Sequence, residues 1–167
     1  MASFINKDKR QIEFDPYQLP IVALPEVVAV NFKPFTSNAI MIRIADVDKD
    51  FKPLRDKSRY IDVLPIHFND INEGDDYWGL SDKEKADMVL FSSMHVKVIY
   101  DFVDKYADAE QIVVHCNAGV SRSSAVAMGI AKHVNDEKTY AKLKQIKRYL
   151  PNPRVLALMR GETFTQW

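Results

Sequence analysis

The residues best suited to chemistry lie in one run of nine, His115-Cys116-Asn117-Ala118-Gly119-Val120-Ser121-Arg122-Ser123. The run follows the apolar segment Gln111–His115, which is typical of a buried strand, and precedes a helical pattern from about Arg122 to His133. A loop between a strand and a helix can turn successive backbone N–H groups inward, and the helix N-terminus adds a partial positive charge. Asn117 to Arg122 are therefore predicted to bind a phosphate-like anion.

The positive electrostatic potential that would bind an anion also acts on the thiol of Cys116. Inward amides, a helix dipole and the Arg122 guanidinium all favour the thiolate over the thiol. A thiolate at the base of an anion site is placed for in-line attack on phosphorus, which would form a phosphocysteine. Arg122 can make two parallel hydrogen bonds to the phosphate oxygens. Ser123 is expected to stabilise the sulfur as leaving group, and His115 to orient the loop rather than to act as a base.

This pattern, His-Cys-x5-Arg-Ser after an apolar strand, resembles the protein tyrosine phosphatase superfamily. The form Ala118-Gly119-Val120-Ser121-Arg122-Ser123 is similar to the dual-specificity branch, and the resemblance extends from about Ile61 to Ala131. It implies an α/β phosphatase fold, the hydrolysis of phosphomonoesters, and no metal or other cofactor. It also implies that Asn152, in a Pro-Asn turn, packs against the phosphate-binding loop.

The resemblance further implies an upstream aspartate that protonates the leaving oxygen and then activates water. Asp70 is our candidate, because its Asn-Asp pair directly follows a predicted strand. The spacing to Cys116 is longer than in compact dual-specificity enzymes, owing to an insert at 73–80. Asp75, Asp76 and Asp82, in or beside that insert, remain alternatives.

The elements that must position these residues are predicted from periodicity and capping. Three β-branched runs are interpreted as strands, with the third at a sheet edge because of Pro65: Glu26–Phe32, Ala39–Ala45 and Tyr60–Phe68. A polar loop, 69–82, follows. Ser81 and Glu84 form a capping box that begins a long helical pattern through Tyr106.

Two further helices are predicted after the nucleophile, at Glu137–Tyr149 and at about Arg154–Arg160. Strands alternating with helices favour a three-layer α/β sandwich, in which helices flank a mostly parallel central sheet. Ligands of such sheets bind outside the carboxyl ends of the strands, which is where Cys116 falls.

Length and composition suit one domain. We divide the 167 residues into an extended lead-in, 1–24, and a single cysteine-phosphatase domain, 25–167. The chain has 23 Lys and Arg and 23 Asp and Glu, so its net charge gives no support to general binding of nucleic acid or anionic membrane. A single cysteine excludes an intrachain disulfide. With no secretory signal or membrane span in the sequence, we expect a cytoplasmic monomer.

Several functions stay open at this stage. The leading hypothesis is a phosphatase acting on phosphorylated proteins, either on phosphotyrosine alone or also on phosphoserine and phosphothreonine. A rhodanese-like sulfurtransferase also uses a cysteine beside a nest of amides. A phosphoprotein-binding module with little activity and a nucleic-acid 5′-phosphatase are the remaining alternatives.

Overall fold

A four-stranded parallel sheet organises the chain. The computed structural model describes residues 4–5, 11–71 and 81–162. Its strands are β1 and β2, which form a small antiparallel pair, and β3 to β6, which form the main sheet in the order β3-β6-β4-β5. Their bounds are Phe4–Ile5, Gln11–Ile12, Ile21–Pro25, Ala39–Ala45, Asp62–His67 and Gln111–Cys116.

The centre of the sheet is buried on both faces. All six residues of β6 are buried, as are the first six of β4. Strands whose residues are apolar in a continuous run must be buried on both faces of the sheet, and helices pack on these faces. The described helices, α1 to α6, are Glu26–Ala29, Asp82–Ala86, Ser93–Lys105, Arg122–His133, Glu137–Gln145 and Pro153–Met159. The predicted parallel α/β sandwich is thus confirmed.

The prediction of a strand at Glu26–Phe32 is wrong. The strand, β3, comes earlier and ends at Pro25, and Glu26 begins the short helix α1. The Glu26 amide donates to the carbonyl of Asn117 (3.2 Å), and Ala29 is buried in the core. These long-range contacts outweigh the β-branched composition of the run. Residues 21–24 of the predicted lead-in are extended, but they pair with β6 inside the sheet.

The long helix predicted from Ser81 to Tyr106 is also wrong in part. The capping box of Ser81 and Glu84 is confirmed, yet it caps only α2, and α3 begins separately after Ser92. Between them, Val89 pairs with Asn69 through two bonds, Val89 N to Asn69 Oδ1 (2.9 Å) and Asn69 N to Val89 O (2.8 Å). This pairing interrupts the helix and secures the segment that carries Asp70.

The remaining elements follow the sequence closely. β5 contains Pro65 and pairs on one side only, with β4, as predicted for an edge strand. The helix predicted to reach Tyr149 ends at Gln145, and the last helix starts at Pro153.

The insert at 73–80, with Asp75 and Asp76, lies outside the described residues. Within the described part of the chain, no helix has the length and apolar character needed to cross a membrane.

Candidate active site

The loop after β6, residues 116–122, turns its carbonyl groups outward; we call it the Cys116 loop. Three carbonyls are taken by surrounding backbone amides: Asn117 O by Glu26 N (3.2 Å), Val120 O by Leu150 N (3.0 Å) and Ser121 O by Asn152 N (3.1 Å). A trans peptide points its C=O and the next N–H in opposite directions. The amides of Ala118, Ser121 and Arg122 therefore face the interior of the loop, as an anion nest requires.

Gly119 allows the loop to close. Its φ is 70°, in the left-handed region, and its amide donates to Cys116 Sγ (3.3 Å). A Cβ at this position would lie 2.3 Å from Pro25 N and 2.6 Å from the Leu24 carbonyl carbon. Both obstacles are backbone atoms of the neighbouring strand, so a glycine is needed for the loop to lie this close to β3.

Gly119→Ala is expected to destabilise the fold by about 3 kcal/mol or more, since a left-handed alanine and a backbone clash both add cost. Gly161→Ala is the matched control, because Gly161 also has a positive φ (78°) but would place its Cβ in open space. The control should lose only about 1 kcal/mol. Equal losses in chemical denaturation would show that the contact with β3 does not constrain the loop.

Cys116 lies at the base of the loop, 3% exposed. Ser123 Oγ, on the first turn of α4 and fully buried, is 3.2 Å from Cys116 Sγ. The thiol donates to this hydroxyl, and the sulfur accepts from the Gly119 amide. The same hydroxyl is close enough to donate to the sulfur once the thiol has lost its proton.

Arg122 is 6% exposed and held at one end. Its Nη1 donates to Asp46 Oδ1 (2.7 Å) and to the carbonyl of Phe68 (2.8 Å). Its Nε is buried and has no hydrogen-bond partner within the described part of the chain. A buried donor without a partner is costly, and a phosphate oxygen would satisfy it. The anchoring through Nη1 therefore leaves the Nε edge of the guanidinium for a ligand.

Asp46 is a site residue that the sequence analysis missed. It directly follows β4, whose carboxyl end lies at the same edge of the sheet as Cys116. A carboxylate just after a buried parallel strand is a usable signal, because ligand sites form at that edge.

Asp70 lies against the far end of the loop. Its Oδ1 accepts hydrogen bonds from Ser121 Oγ (2.9 Å) and from Asn152 Nδ2 (2.8 Å). Asn152 is 2% exposed, and its Nδ2 also donates to Ile71 O (2.8 Å). Asn152 thus packs against the loop, as the resemblance implied. Asp82, the one alternative acid that is described, is exposed in the first turn of α2.

His115 is completely buried behind the nucleophile. Arg43, on β4, donates from Nε to His115 Nε2 (2.8 Å). Burial, and then the charge of Arg43, lower the pKa of His115 to about 4, although the Cys116 backbone acts in the opposite direction. The imidazole is thus neutral near pH 7 and accepts a hydrogen bond from Arg43, and its orienting role stays a prediction.

Comparison with known proteins identifies the fold. No family model and no curated protein sequence matches the chain. Among solved structures, the human tyrosine phosphatase-like serine/threonine/tyrosine-interacting protein is similar at a TM-score of 0.56 and 15% identity, covering 85% of this chain and 89% of that one. Human DUSP28 is similar at a TM-score of 0.52 and 14% identity, covering 88% and 91%. The chain therefore has the same fold as these two proteins, that of dual-specificity-like phosphatases. At these identities the likeness concerns the fold, and the chemistry must be argued from the side chains.

In this phosphatase fold, a cavity of about 270 Å³ opens beside Arg122. Its wall combines the Cys116 loop with the segment after β4: Glu26, Ile44, Ala45, Asp46, Lys49, Asp50, Lys52, Asn117 and Arg122. Three of these residues are acidic and three are basic, so the cavity is charged but close to balanced. No cluster of three or more metal-binding side chains occurs among the described residues.

Proposed function

We propose that the protein is a phosphomonoester hydrolase of the tyrosine or dual-specificity phosphatase type, with Cys116 as nucleophile. One observation carries the proposal: a single short loop combines a buried sulfur that accepts from the Gly119 amide, outward carbonyls that leave amides facing inward, and Arg122, whose buried Nε has no partner among the described residues. These groups together match a tetrahedral dianion and an attacking thiolate. The dual-specificity-like fold, found independently of the side chains, agrees with it.

In the first step, the loop amides and Arg122 hold the phosphate group while the Cys116 thiolate attacks phosphorus. The S–P bond forms as the bond from phosphorus to the ester oxygen breaks. Asp70 donates its proton to that oxygen, which leaves as an alcohol or phenol. Charge on the equatorial oxygens is stabilised by donors that are already in place, since the outward carbonyls fix the loop.

In the second step, water attacks the phosphocysteine. Asp70, now ionised, takes the proton of the water, and the S–P bond breaks to release inorganic phosphate. Ser123 Oγ, 3.2 Å from the sulfur, can donate to the departing thiolate. The Ser121 and Asn152 side chains hold the Asp70 carboxyl at the rim of the loop throughout.

The proposed substrates are phosphorylated proteins, with phosphotyrosine accepted and phosphoserine or phosphothreonine as a further possibility to be measured. The nest has one guanidinium, that of Arg122, which suits a single phosphomonoester. The near balance of acidic and basic residues in the adjacent cavity gives no support to a highly charged nucleic-acid end.

A phosphoprotein-binding module is the second candidate, because one structurally similar protein is named as phosphatase-like and interacting. The close contacts of Cys116 with Ser123 and Gly119 favour catalysis instead, since binding alone needs no polar group beside the sulfur. The hydrogen bonds of Asp70 beside the loop favour phosphoryl transfer over a rhodanese-type reaction, which needs no acid.

Activity assays separate the three functions. The purified protein should release phosphate from para-nitrophenyl phosphate and from a phosphotyrosine peptide, and should not transfer sulfur from thiosulfate to cyanide. A phosphoserine peptide in parallel measures dual specificity. Tight peptide binding without phosphate release would instead support the binding module, and sulfur transfer would support the rhodanese type.

Asp70→Asn is expected to lower kcat about 100-fold with an alkyl or peptide phosphate, because the leaving oxygen loses its proton donor. The loss should be smaller with para-nitrophenyl phosphate, whose leaving group needs little protonation. Across a series of substrates, the kcat of the variant should therefore depend more steeply on the leaving group than the kcat of the parent.

Asp82→Asn is the matched control, since Asp82 is exposed on α2. It should keep the parent's dependence on the leaving group. If Asp70→Asn keeps the parent's dependence as well, Asp70 is not the general acid, and Asp75 and Asp76 become the candidates.

A further inference from the structure

A buried arginine, Arg43, contacts the residue that directly precedes the proposed nucleophile. It is on β4, 8% exposed, and its Cα is the register partner of His115 on β6. Its Nε donates to His115 Nε2 (2.8 Å), and its guanidinium carbon is 4.8 Å from the centre of the Phe51 ring. None of the sequence motifs points to this residue.

The Arg43 guanidinium has two hydrogen-bond acceptors but only a distant carboxylate. Its Nη2 donates to the Lys52 carbonyl (2.5 Å) and lies 3.6 Å from Glu26 Oε2, which is beyond normal hydrogen-bonding distance. The same Glu26 oxygen accepts a hydrogen bond from Lys52 N (3.1 Å). Burial lowers the pKa of Arg43 and Glu26 raises it in return, but a guanidinium stays protonated in proteins. A buried cation whose nearest carboxylate lies beyond hydrogen-bonding distance is costly to the fold even when neutral acceptors bind it, which calls for a reason at this position.

Arg43 also fixes the state of His115. Because Nε2 accepts the hydrogen bond, the proton of the neutral ring must be on Nδ1. The positive charge behind Cys116 is therefore carried by Arg43 and not by the imidazole.

Arg43 is also linked, through Glu26, to the residue that follows the nucleophile. The Glu26 amide donates to Asn117 O, the carbonyl of the residue after Cys116. Arg43 thus contacts one residue that precedes Cys116 in the strand and another that holds the loop just after it. We therefore expect a change at Arg43 to act on Cys116 chiefly through the hydrogen bond to His115, with a smaller effect through Glu26.

We propose that Arg43 is a positioning residue that holds His115 neutral with its proton on Nδ1 and acts, besides Arg122, as a second cation favouring the Cys116 thiolate. The catalytic consequence rests on the proposed phosphatase function. The state of the thiol and of the imidazole can be measured without any substrate, so the two proposals fail separately.

Other charged groups border the same loop and enter any pH dependence of the thiol. On the cationic side these are Arg122, Lys49 and Lys52, and on the anionic side Glu26, Asp46, Asp50 and Asp70. Arg122 is paired with Asp46 (2.7 Å). Each variant below leaves all of these groups in place, so the measured shift reports on Arg43.

The test is the pH dependence of alkylation by iodoacetamide, which reacts with the thiolate. Cys116 is the single cysteine of the chain, so every modification reports on it. Arg43→Gln can still donate to His115 but has no charge, and its alkylation midpoint should rise by about one pH unit. Arg43→Lys keeps the charge and should stay closer to the parent. Arg59→Gln is the control, since Arg59 donates to two backbone carbonyls away from the Cys116 loop.

A parent-like midpoint in folded Arg43→Gln, or an equal shift in the Arg59→Gln control, would overturn the proposal. Nitrogen NMR of the parent protein provides a second test that needs no variant. His115 should carry its proton on Nδ1 and should not titrate between pH 5 and 8. A proton on Nε2, or titration in that range, would contradict the role of Arg43 even if Arg43→Gln does not fold.

Discussion

Cys116→Ser is expected to lower phosphate release by about four orders of magnitude or more, the size of effect seen when a covalent nucleophile is removed. Serine is nearly the same size as cysteine, so the loop should keep its shape. Its hydroxyl, however, is a far weaker nucleophile than a thiolate at neutral pH. Phosphate release from a phosphotyrosine peptide measures the loss.

Binding provides the control for this variant. The inward amides and Arg122 do not depend on the sulfur, because their positions are fixed by Glu26, Leu150 and Asn152. The dissociation constant of the peptide, measured by calorimetry, should therefore stay within about tenfold of that of the parent or tighten. If Cys116→Ser turned over within tenfold of the parent rate, the cysteine mechanism would be excluded.

Arg122→Lys is expected to lower kcat/KM about 1000-fold, or roughly 4 kcal/mol of transition-state stabilisation. In the structure, Arg122 Nη1 donates to Asp46 and to the Phe68 carbonyl, while Nε has no partner among the residues that the structure describes. A lysine has one nitrogen and cannot serve both the anchor and the ligand. Steady-state kinetics with para-nitrophenyl phosphate give the number, and a melting curve checks the fold.

Asp46→Asn removes the carboxylate charge beside Arg122 but keeps an acceptor that can orient the Arg122 guanidinium. The arginine remains, and an amide oxygen can still accept from Nη1, so a loss of about tenfold is expected. A loss as large as that of Arg122→Lys would mean that the Asp46 carboxylate acts in the reaction itself. An Arg122→Lys variant with near-parent kcat/KM would remove Arg122 from the phosphate site.

Local sequence patterns predicted the Cys116 loop and its two flanking elements better than the distant residues that contact the loop. The Cys116 loop, β6 and α4 were predictable because an apolar strand, small loop residues and a helical period follow one another directly in the sequence. The capping box at Ser81 was likewise local and correct. Each of these features depends on neighbours within a few positions.

The errors arose where distant residues decide the structure. Glu26 to Phe32 has the composition of a strand, but the bond from Glu26 to Asn117 and the burial of Ala29 favour a helix. The helical pattern between Ser81 and Tyr106 gives way at Val89, which pairs with Asn69 from the preceding loop. Intrinsic propensity is a weak preference that such tertiary contacts override.

Asp46 and Arg43 were missed for the same reason. Asp46 reaches Arg122 and Arg43 reaches His115 across more than 70 positions of sequence. Both contacts depend on β4 lying next to β6, an order that the sequence does not reveal because the two strands are far apart along the chain.

The covalent intermediate tests the central claim most directly. A Ser123→Ala variant, in which the leaving thiolate loses its neighbouring hydroxyl, should accumulate phosphocysteine. The variant is mixed with a ³²P-labelled phosphotyrosine peptide, stopped within milliseconds by denaturant at neutral pH, and mapped by mass spectrometry. The account predicts label on the peptide that contains Cys116, approaching one per chain, before phosphate is released at the steady rate. Turnover with no label on Cys116, or with label on another residue, would contradict it.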